Sequence, residues 1–166
     1  MRALLCLLIT AASPLWAQYA HILEEYGVAA DIPAGFELKR FGSDERTAYF
    51  GNSQLPSAGI RMSAAGPLTI SFDAAMDLHM RLLANDQTTI LSTQGGDDWF
   101  GVVYEFRFSK DVKIPTQIHH YWRELTTCDG RLINAFVEVY YLPDDAPTMA
   151  SLVQPVIDSL RIRDCN

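Results

Sequence analysis

Apolar and polar residues alternate most regularly between residues 102 and 141. A period of two is typical of strands that are buried on one face. Three runs show this period, and Asp129-Gly130 between the second and third is a strong hairpin signal. The runs therefore predict an antiparallel meander. Its predicted faces are Val102, Tyr104, Phe106 and Phe108 in the first run, Ile118, His120 and Trp122 opposite His119, Tyr121, Arg123 and Leu125 in the second, and Ile133, Ala135, Val137, Val139 and Tyr141 in the third.

Shorter elements surround this meander. Up to four upstream strands are predicted between Gly, Pro, Asn and Asp residues, at about 27–31, 36–40, 46–50 and 59–63. A helix is predicted to begin after Ser71 as N-cap, and a second one at about 147–160, with a kink or shifted start at Pro155. The predicted core-facing residues are Phe72, Met76, Met80 and Leu83 in the first helix and Met149, Leu152, Val153, Val156 and Leu160 in the second. We expect an α+β fold, an antiparallel sheet of about six to seven strands flanked by helices in an α/β/α sandwich.

The first seventeen residues have the pattern of a secretory signal. Arg2 provides a positive start, an apolar core follows, and Pro14 ends that core ahead of Ala17. A membrane span needs about 20 apolar residues, and this run is shorter. We therefore expect cleavage after Ala17, export to the periplasm or beyond, and a single domain over residues 18–166 with no membrane span.

Two cysteines, Cys128 and Cys165, would remain after cleavage, because Cys6 lies in the signal. An even number of cysteines in an oxidising compartment predicts a disulfide. No C-x-x-C motif is present, so a structural bridge is favoured over a redox-active pair.

The charge balance limits the partners. The chain carries 13 basic and 20 acidic residues, a net charge of −7, and loses one basic residue with the signal. Nucleic acids and anionic membranes attract basic surfaces, so neither is an expected partner.

Four stretches together resemble one known group, the Mog/PsbP-like proteins, which include small exported bacterial members. They are YGVAADIPAGFEL, DDWFGVVYEF, YWRELTTCDGRLINAFVEVYYLPDD and ASLVQPVIDSLRI. The resemblance covers nearly all of residues 19–163 and implies an α/β/α sandwich built on an antiparallel sheet. It also implies a binding or accessory role rather than catalysis, and it supplies no catalytic residue.

The adjacent histidines His119 and His120 are the first candidates for metal binding. Neighbouring residues on a strand point to opposite faces, so the pair cannot chelate one ion. Either residue could join His21, His79 or a carboxylate, but no spacing supplies the three or four ligands that zinc needs. We favour one exposed histidine and one packed against a helix, and predict no metal site.

The acidic pairs have structural explanations. Asp97 and Asp98, in GGDDW, could face a ligand or calcium, but a polar turn is favoured because no EF-hand pattern follows. Asp144 and Asp145 are expected to cap the second helix. No G-x-S-x-G elbow or phosphate-binding glycine loop is present, so the sequence predicts no catalytic residue and no cofactor.

Aromatic residues concentrate in the meander, and most are expected in the core. Some on its outward face, such as Phe136 and Tyr140 beside Glu138, could instead form a patch for a partner, although cross-strand pairing explains them equally well. The candidate partner surface comprises Trp122, Phe136, Tyr140, His119 and His120. The sequence thus predicts a non-catalytic exported binding or accessory module for an unidentified protein complex or envelope component. A small-ligand or metal carrier is the alternative, and a hydrolase ranks last.

Overall fold

The computed structural model describes residues 19–43, 45–67, 69–109, 111 and 113–165. The predicted signal and Cys6 lie outside these residues. The strands of the described part are β1 (Tyr19–Leu23), β2 (Val28–Ile32), β3 (Phe36–Phe41), β4 (Thr47–Asn52), β5 (Gly59–Ala65), β6 (Thr88–Gly95), β7 (Trp99–Phe106), β8 (Thr116–Thr126), β9 (Leu132–Tyr141) and β10 (Arg161–Ile162), and the helices are α1 (Phe72–Leu83) and α2 (Ala146–Asp158).

Seven strands form one antiparallel sheet in the order β3-β4-β5-β9-β8-β7-β6, and β1-β2-β10 form a smaller one. The predicted meander is confirmed as β7-β8-β9, with His120 opposite Val102 on one side and Glu138 on the other. Gly130 has a positive φ of 81° in the predicted turn, a backbone conformation that glycine adopts without strain. The expected α+β fold is confirmed, whereas β1 and β6 were not predicted.

The two faces of the seven-stranded sheet carry different layers. On the first, which we call the α2 face, β4, β5 and β9 pack against α2 and the smaller sheet; the central side chains are Phe50, Ile60, Met62, Ile133, Val137, Val139, Met149, Val153 and Val156. On the other, the α1 face, Val102, Tyr104 and Ile118 pack against Met80 and Leu83. Helix α2 and the smaller sheet therefore cover the β4-β5-β9 part of the sheet, and the strands beyond β9 extend past this layer.

The helix boundaries agree with the predictions except at one cap. Ser71 caps α1, and its hydroxyl accepts a hydrogen bond from Ala74 N at 3.3 Å. Asp145 precedes α2 but makes no capping hydrogen bond with its side chain, because residues 143–145 already form a short 3-10 turn that continues into the helix. The prediction of an acidic side-chain cap was therefore wrong. Pro155 lies inside α2, which continues through it to Asp158.

The predicted disulfide is present. Cys128 lies in the turn between β8 and β9, Cys165 follows β10, and their sulfur atoms are 2.01 Å apart. Since β10 pairs with β2, the bridge ties the central hairpin of the large sheet to the smaller sheet. Phe108 departs from the predicted face because β7 ends at Phe106 and leaves this ring 71 % exposed.

Candidate functional site

An open groove lies where the sheet extends past α2. It has a volume of about 310 Å³, and its side walls come from β6, β7, β8 and the C-terminal end of α2. Gly101 of β7 has no side chain, and beside it Trp99 of β7 and Tyr121 of β8 stack with ring centroids 5.6 Å apart. We call this feature the α2 groove. The polar and aromatic side chains that line it include Ser92, Gln94, Trp99, His119, Tyr121, Gln154 and Asp158.

One acidic side chain, Asp158, lines the groove. Asp158 accepts a hydrogen bond from Gln154 Nε2 at 2.7 Å, and no cation of the described residues pairs with it. Asp98 lies 3.7 Å from Arg123. Burial raises the pKa of Tyr121, and the two carboxylates raise it further while Arg123 opposes them. Within the described ranges, the Asp158 carboxylate therefore has no neutralising charge at the groove.

His119 lines this groove, and its ring already contacts two neighbouring side chains. Its Nε2 atom lies 2.9 Å from Tyr141 Oη and 3.1 Å from Gln117 Nε2. Burial lowers the pKa of His119, so the ring is neutral at pH 7. A neutral ring held by two neighbours acts as a fixed wall of the groove rather than as a free metal ligand or base.

A second polar feature lies on the α1 face. Arg61 on β5, Glu138 on β9 and His120 on β8 stand opposite one another across three strands. The Arg61 Nη2 atom donates to Glu138 Oε2 at 2.9 Å, and His120 Nδ1 lies 3.2 Å from the same oxygen without hydrogen-bond geometry. We call these three residues the buried polar row.

His79 of α1 covers this row. Its ring lies 4.1 Å from Trp122 and 5.3 Å from His120, centroid to centroid. Burial, with the Arg61 charge adding to it, lowers the pKa of His79 to about 4. Burial also lowers the pKa of His120, which is only 4 % exposed and stacks on Trp122. Both rings are neutral packing groups at pH 7.

The structure separates the residues of the predicted partner surface. His119 faces the α2 groove, whereas His120, Trp122, Phe136 and Tyr140 lie on the α1 face and are at least partly buried there. This matches the expectation that the adjacent histidines point to opposite faces, but His119 is half-buried rather than exposed. Among the described residues, no His, Cys, Asp and Glu side chains are grouped to hold a metal ion.

Sequence reasoning missed most of the groove. Trp99, Tyr121 and Asp158 come from three elements that only the fold brings together, and β6 was not predicted at all. The one available signal was alternation in the meander, which puts Tyr121 on the face of His119 and Arg123. Asp97 and Asp98 occupy the expected polar turn, here between β6 and β7.

Comparison with known proteins gives likenesses in structure alone. No family model and no curated protein matches the chain. The Saccharomyces cerevisiae Ran-binding protein Mog1p superposes with a TM-score of 0.60 at 13 % identity, covering 90 % of this chain and 97 % of its own. The cyanobacterial PsbP of Synechocystis gives a TM-score of 0.60 at 14 % identity, covering 92 % and 95 %.

LpqN of Mycobacterium tuberculosis, a protein involved in cell envelope biogenesis, gives a TM-score of 0.61 at 11 % identity, covering 87 % of this chain and 89 % of its own. At sequence identities this low, the three matches show a shared fold and nothing further. No helix in the described ranges is long and apolar enough to cross a membrane. With the layers and strand order described above, the three likenesses show that the chain has the Mog/PsbP-like fold.

Proposed function

We propose that this protein is a non-catalytic, exported binding module that supports a protein complex or an envelope component. The observation that carries the proposal is the α2 groove, an open surface with stacked aromatic rings and one carboxylate beside the part of the sheet that α2 covers. The signal-like start of the sequence supports export. The fold likeness is compatible with this role, since the similar proteins include a Ran-binding protein and one involved in cell envelope biogenesis.

The chemistry of the groove suits a lysine or arginine side chain of a partner. The stacked rings of Trp99 and Tyr121 offer aromatic faces that attract cations. Asp158 offers a carboxylate with no cation of its own among the described residues. A guanidinium can use both at once, because its flat surface stacks while its N–H groups donate to the carboxylate.

The polar side chains support binding rather than turnover. His119 is neutral and engaged by Tyr141 and Gln117, and His120 lies beneath α1 on the opposite face. The Nε2 atom of His119 is therefore occupied by two neighbours, and the His120 ring is covered by α1. The contacts of the described residues thus fit recognition better than acid–base chemistry.

A titration with a minimal ligand tests the proposal. The probe is the peptide acetyl-Gly-Arg-Gly-amide, followed by amide and indole NMR shifts of the purified protein, with the citrulline analogue as the uncharged control. We expect weak binding whose shifts centre on Trp99 and Tyr121, and none with citrulline. Asp158→Asn should weaken binding about fivefold, the effect of one exposed ion pair, whereas Asp73→Asn on α1 should not change it. Shifts centred on Trp122 and Phe136 would contradict the groove assignment.

A small-molecule carrier is the second candidate. The groove volume, about 310 Å³, is at the lower end of the roughly 300–1,000 Å³ of known ligand pockets. Its open side argues against enclosure of a cargo. Native mass spectrometry of the exported protein separates the two functions: a reproducible added mass favours the carrier, and a bare mass favours the binding module.

A further inference from the structure

We propose that β6 is a docking edge, to which an extended basic segment of a partner protein adds as an eighth strand of the large sheet. This inference rests on the proposed function, because it uses the α2 groove as the receptor for the partner's side chains. The inference goes beyond the proposed function because it specifies the kind of partner and the backbone geometry of the complex.

The two edges of the sheet differ in a way that singles out β6. Edge strands expose unpaired N–H and C=O groups, which proteins protect with charged side chains, prolines or β-bulges. Both edges of this sheet have a bulge, so charge is what distinguishes them. The opposite edge, β3, carries Glu37, Lys39 and Arg40. Strand β6, with the sequence TTILSTQG, carries no charge over eight residues and leaves Leu91 49 % exposed. It therefore lacks the charge that would keep another strand away.

The register defines which backbone groups of β6 are open to pairing. Arg107 N donates to Gln87 O at 2.9 Å, and Gly96 N donates to Trp99 O at 2.9 Å, at the two ends of the β6-β7 ladder. Residues in an antiparallel pair alternate between those bonded to the neighbour and those facing away. With the bulge between Ile90 and Ser92, the outward-facing residues are Thr88, Ile90, Thr93 and Gly95.

The edge is continuous with the α2 groove. Ser92 and Gln94 of β6 line the groove and stand opposite Val103 and Gly101 of β7. An added strand would lie about 4.8 Å beyond β6, so its side chains on this face must cross β6 to reach the Trp99–Tyr121 stack. Only long side chains such as lysine and arginine span that distance, and these are the residues that the groove chemistry favours.

Charge favours a basic segment over a second copy of this chain. Asp97 and Asp98 follow β6, and Asp158 lies in the adjoining α2 groove. A second copy would bring together two molecules that each carry a net charge of −7. Like charges oppose that association, whereas a basic strand is attracted to the acidic turn after β6 and to the groove.

Backbone-modified peptides test strand addition separately from groove binding. The probe is a nine-residue peptide in which arginine and lysine alternate with valine and threonine. Two N-methylated analogues of this parent peptide, which we call twins, are compared with it. Each twin carries N-methyl groups on every second amide, and the amides methylated in one twin are unmethylated in the other. Because a strand pairs through every second residue, we expect one twin to bind like the parent and the other to lose binding at least tenfold. Parent binding should also slow amide exchange at Thr88, Ile90, Thr93 and Gly95.

Variants of β6 provide the matched test on the protein. Thr93→Pro removes one outward N–H group, which an edge strand tolerates, and should weaken the parent peptide about tenfold, while Thr93→Ala keeps binding. Circular dichroism and the melting temperature check that the proline variant is folded. If it is not, Ile90→Lys should weaken the basic peptide severalfold and Ile90→Glu should not.

Each result supports or overturns the inference. Equal binding of both twins shows side-chain recognition alone, which overturns strand addition but leaves the proposed function intact. No binding by the parent peptide overturns strand addition, and the separate arginine tripeptide then decides whether the groove function also fails. A dimer in sedimentation that Thr93→Pro dissolves would make a second copy the occupant and overturn the basic partner.

Discussion

At the residue scale, the buried polar row shows how a charge is tolerated inside this sheet. Glu138 has only 11 % of its side chain exposed, and burial raises its pKa. The Arg61 guanidinium opposes that shift through an ion pair of 2.9 Å and also lies 4.9 Å above the Phe136 ring. Arg61 is therefore both the partner of the carboxylate and part of the packing on the α1 face.

Removing Arg61 should therefore destabilise the protein. The ion pair is partly buried, with 31 % of the Arg61 side chain and 11 % of the Glu138 side chain exposed. Loss of one partner leaves the other charge poorly compensated, so we expect Arg61→Met to lower the free energy of unfolding by about 2 kcal/mol at pH 7, less than for a fully buried pair. Arg81→Met is the control, since its pair with Asp77 is exposed and worth less than about 1 kcal/mol. Urea denaturation measures both. Equal losses in the two variants would contradict a stabilising role of the row.

At the element scale, the starts of the two helices give a matched comparison. The Ser71 hydroxyl accepts from Ala74 N, whereas the Asp145 side chain makes no cap hydrogen bond. Ser71→Ala should therefore cost about 1 kcal/mol of unfolding free energy. Asp145→Ala should cost clearly less, because no cap bond is lost. Thermal or urea unfolding of the two variants checks this, and a larger loss at Asp145 would show that its charge matters more than the cap geometry.

The elements also show what the sequence can predict here and what it cannot. The meander was predictable because Ile133, Val137 and Val139 alternate along β9 with a face that carries the polar residues Asn134 and Glu138. Strand β6 was missed because TTILSTQG is exposed and has no alternating pattern. The α2 groove was missed for a different reason: Trp99, Tyr121 and Asp158 meet only through strand order and the placement of α2, which local periodicity does not contain.

At the scale of the whole molecule, the disulfide joins the two sheets. Cys128 and Cys165 are separated by 37 residues, and closing a loop of this length restricts the unfolded chain by roughly 4 kcal/mol on the chain-entropy model. The double variant Cys128→Ser/Cys165→Ser should lose stability of that order in urea denaturation. Its groove should still bind the arginine peptide, because Cys128 and Cys165 line a different cavity, together with Glu24 and Arg163. Lost peptide binding in a folded variant would show that the bridge shapes the groove.

The histidines together determine how stability depends on pH. Burial lowers the pKa of all four: His21, His79, His119 and His120. In the unfolded chain their pKa returns to about 6.5, so below this pH the unfolded state binds protons that the folded state refuses. The free energy of unfolding should therefore fall as the pH decreases from 6.5 towards about 4, the pKa of His79 in the folded protein.

Glu138 opposes this trend, because its raised pKa makes the folded state bind a proton before the unfolded state does. One carboxyl group has a raised pKa and four imidazoles have lowered pKa values, so we expect the histidines to dominate the pH dependence between pH 6.5 and 5. Urea denaturation at pH 7.5, 6 and 5 measures the slope, and His79→Gln should flatten it by removing one group that the folded state keeps neutral. Stability that stays constant or rises on acidification to pH 5 would mean that Glu138 outweighs the histidines and that this one carboxyl group governs the acid response of the whole molecule.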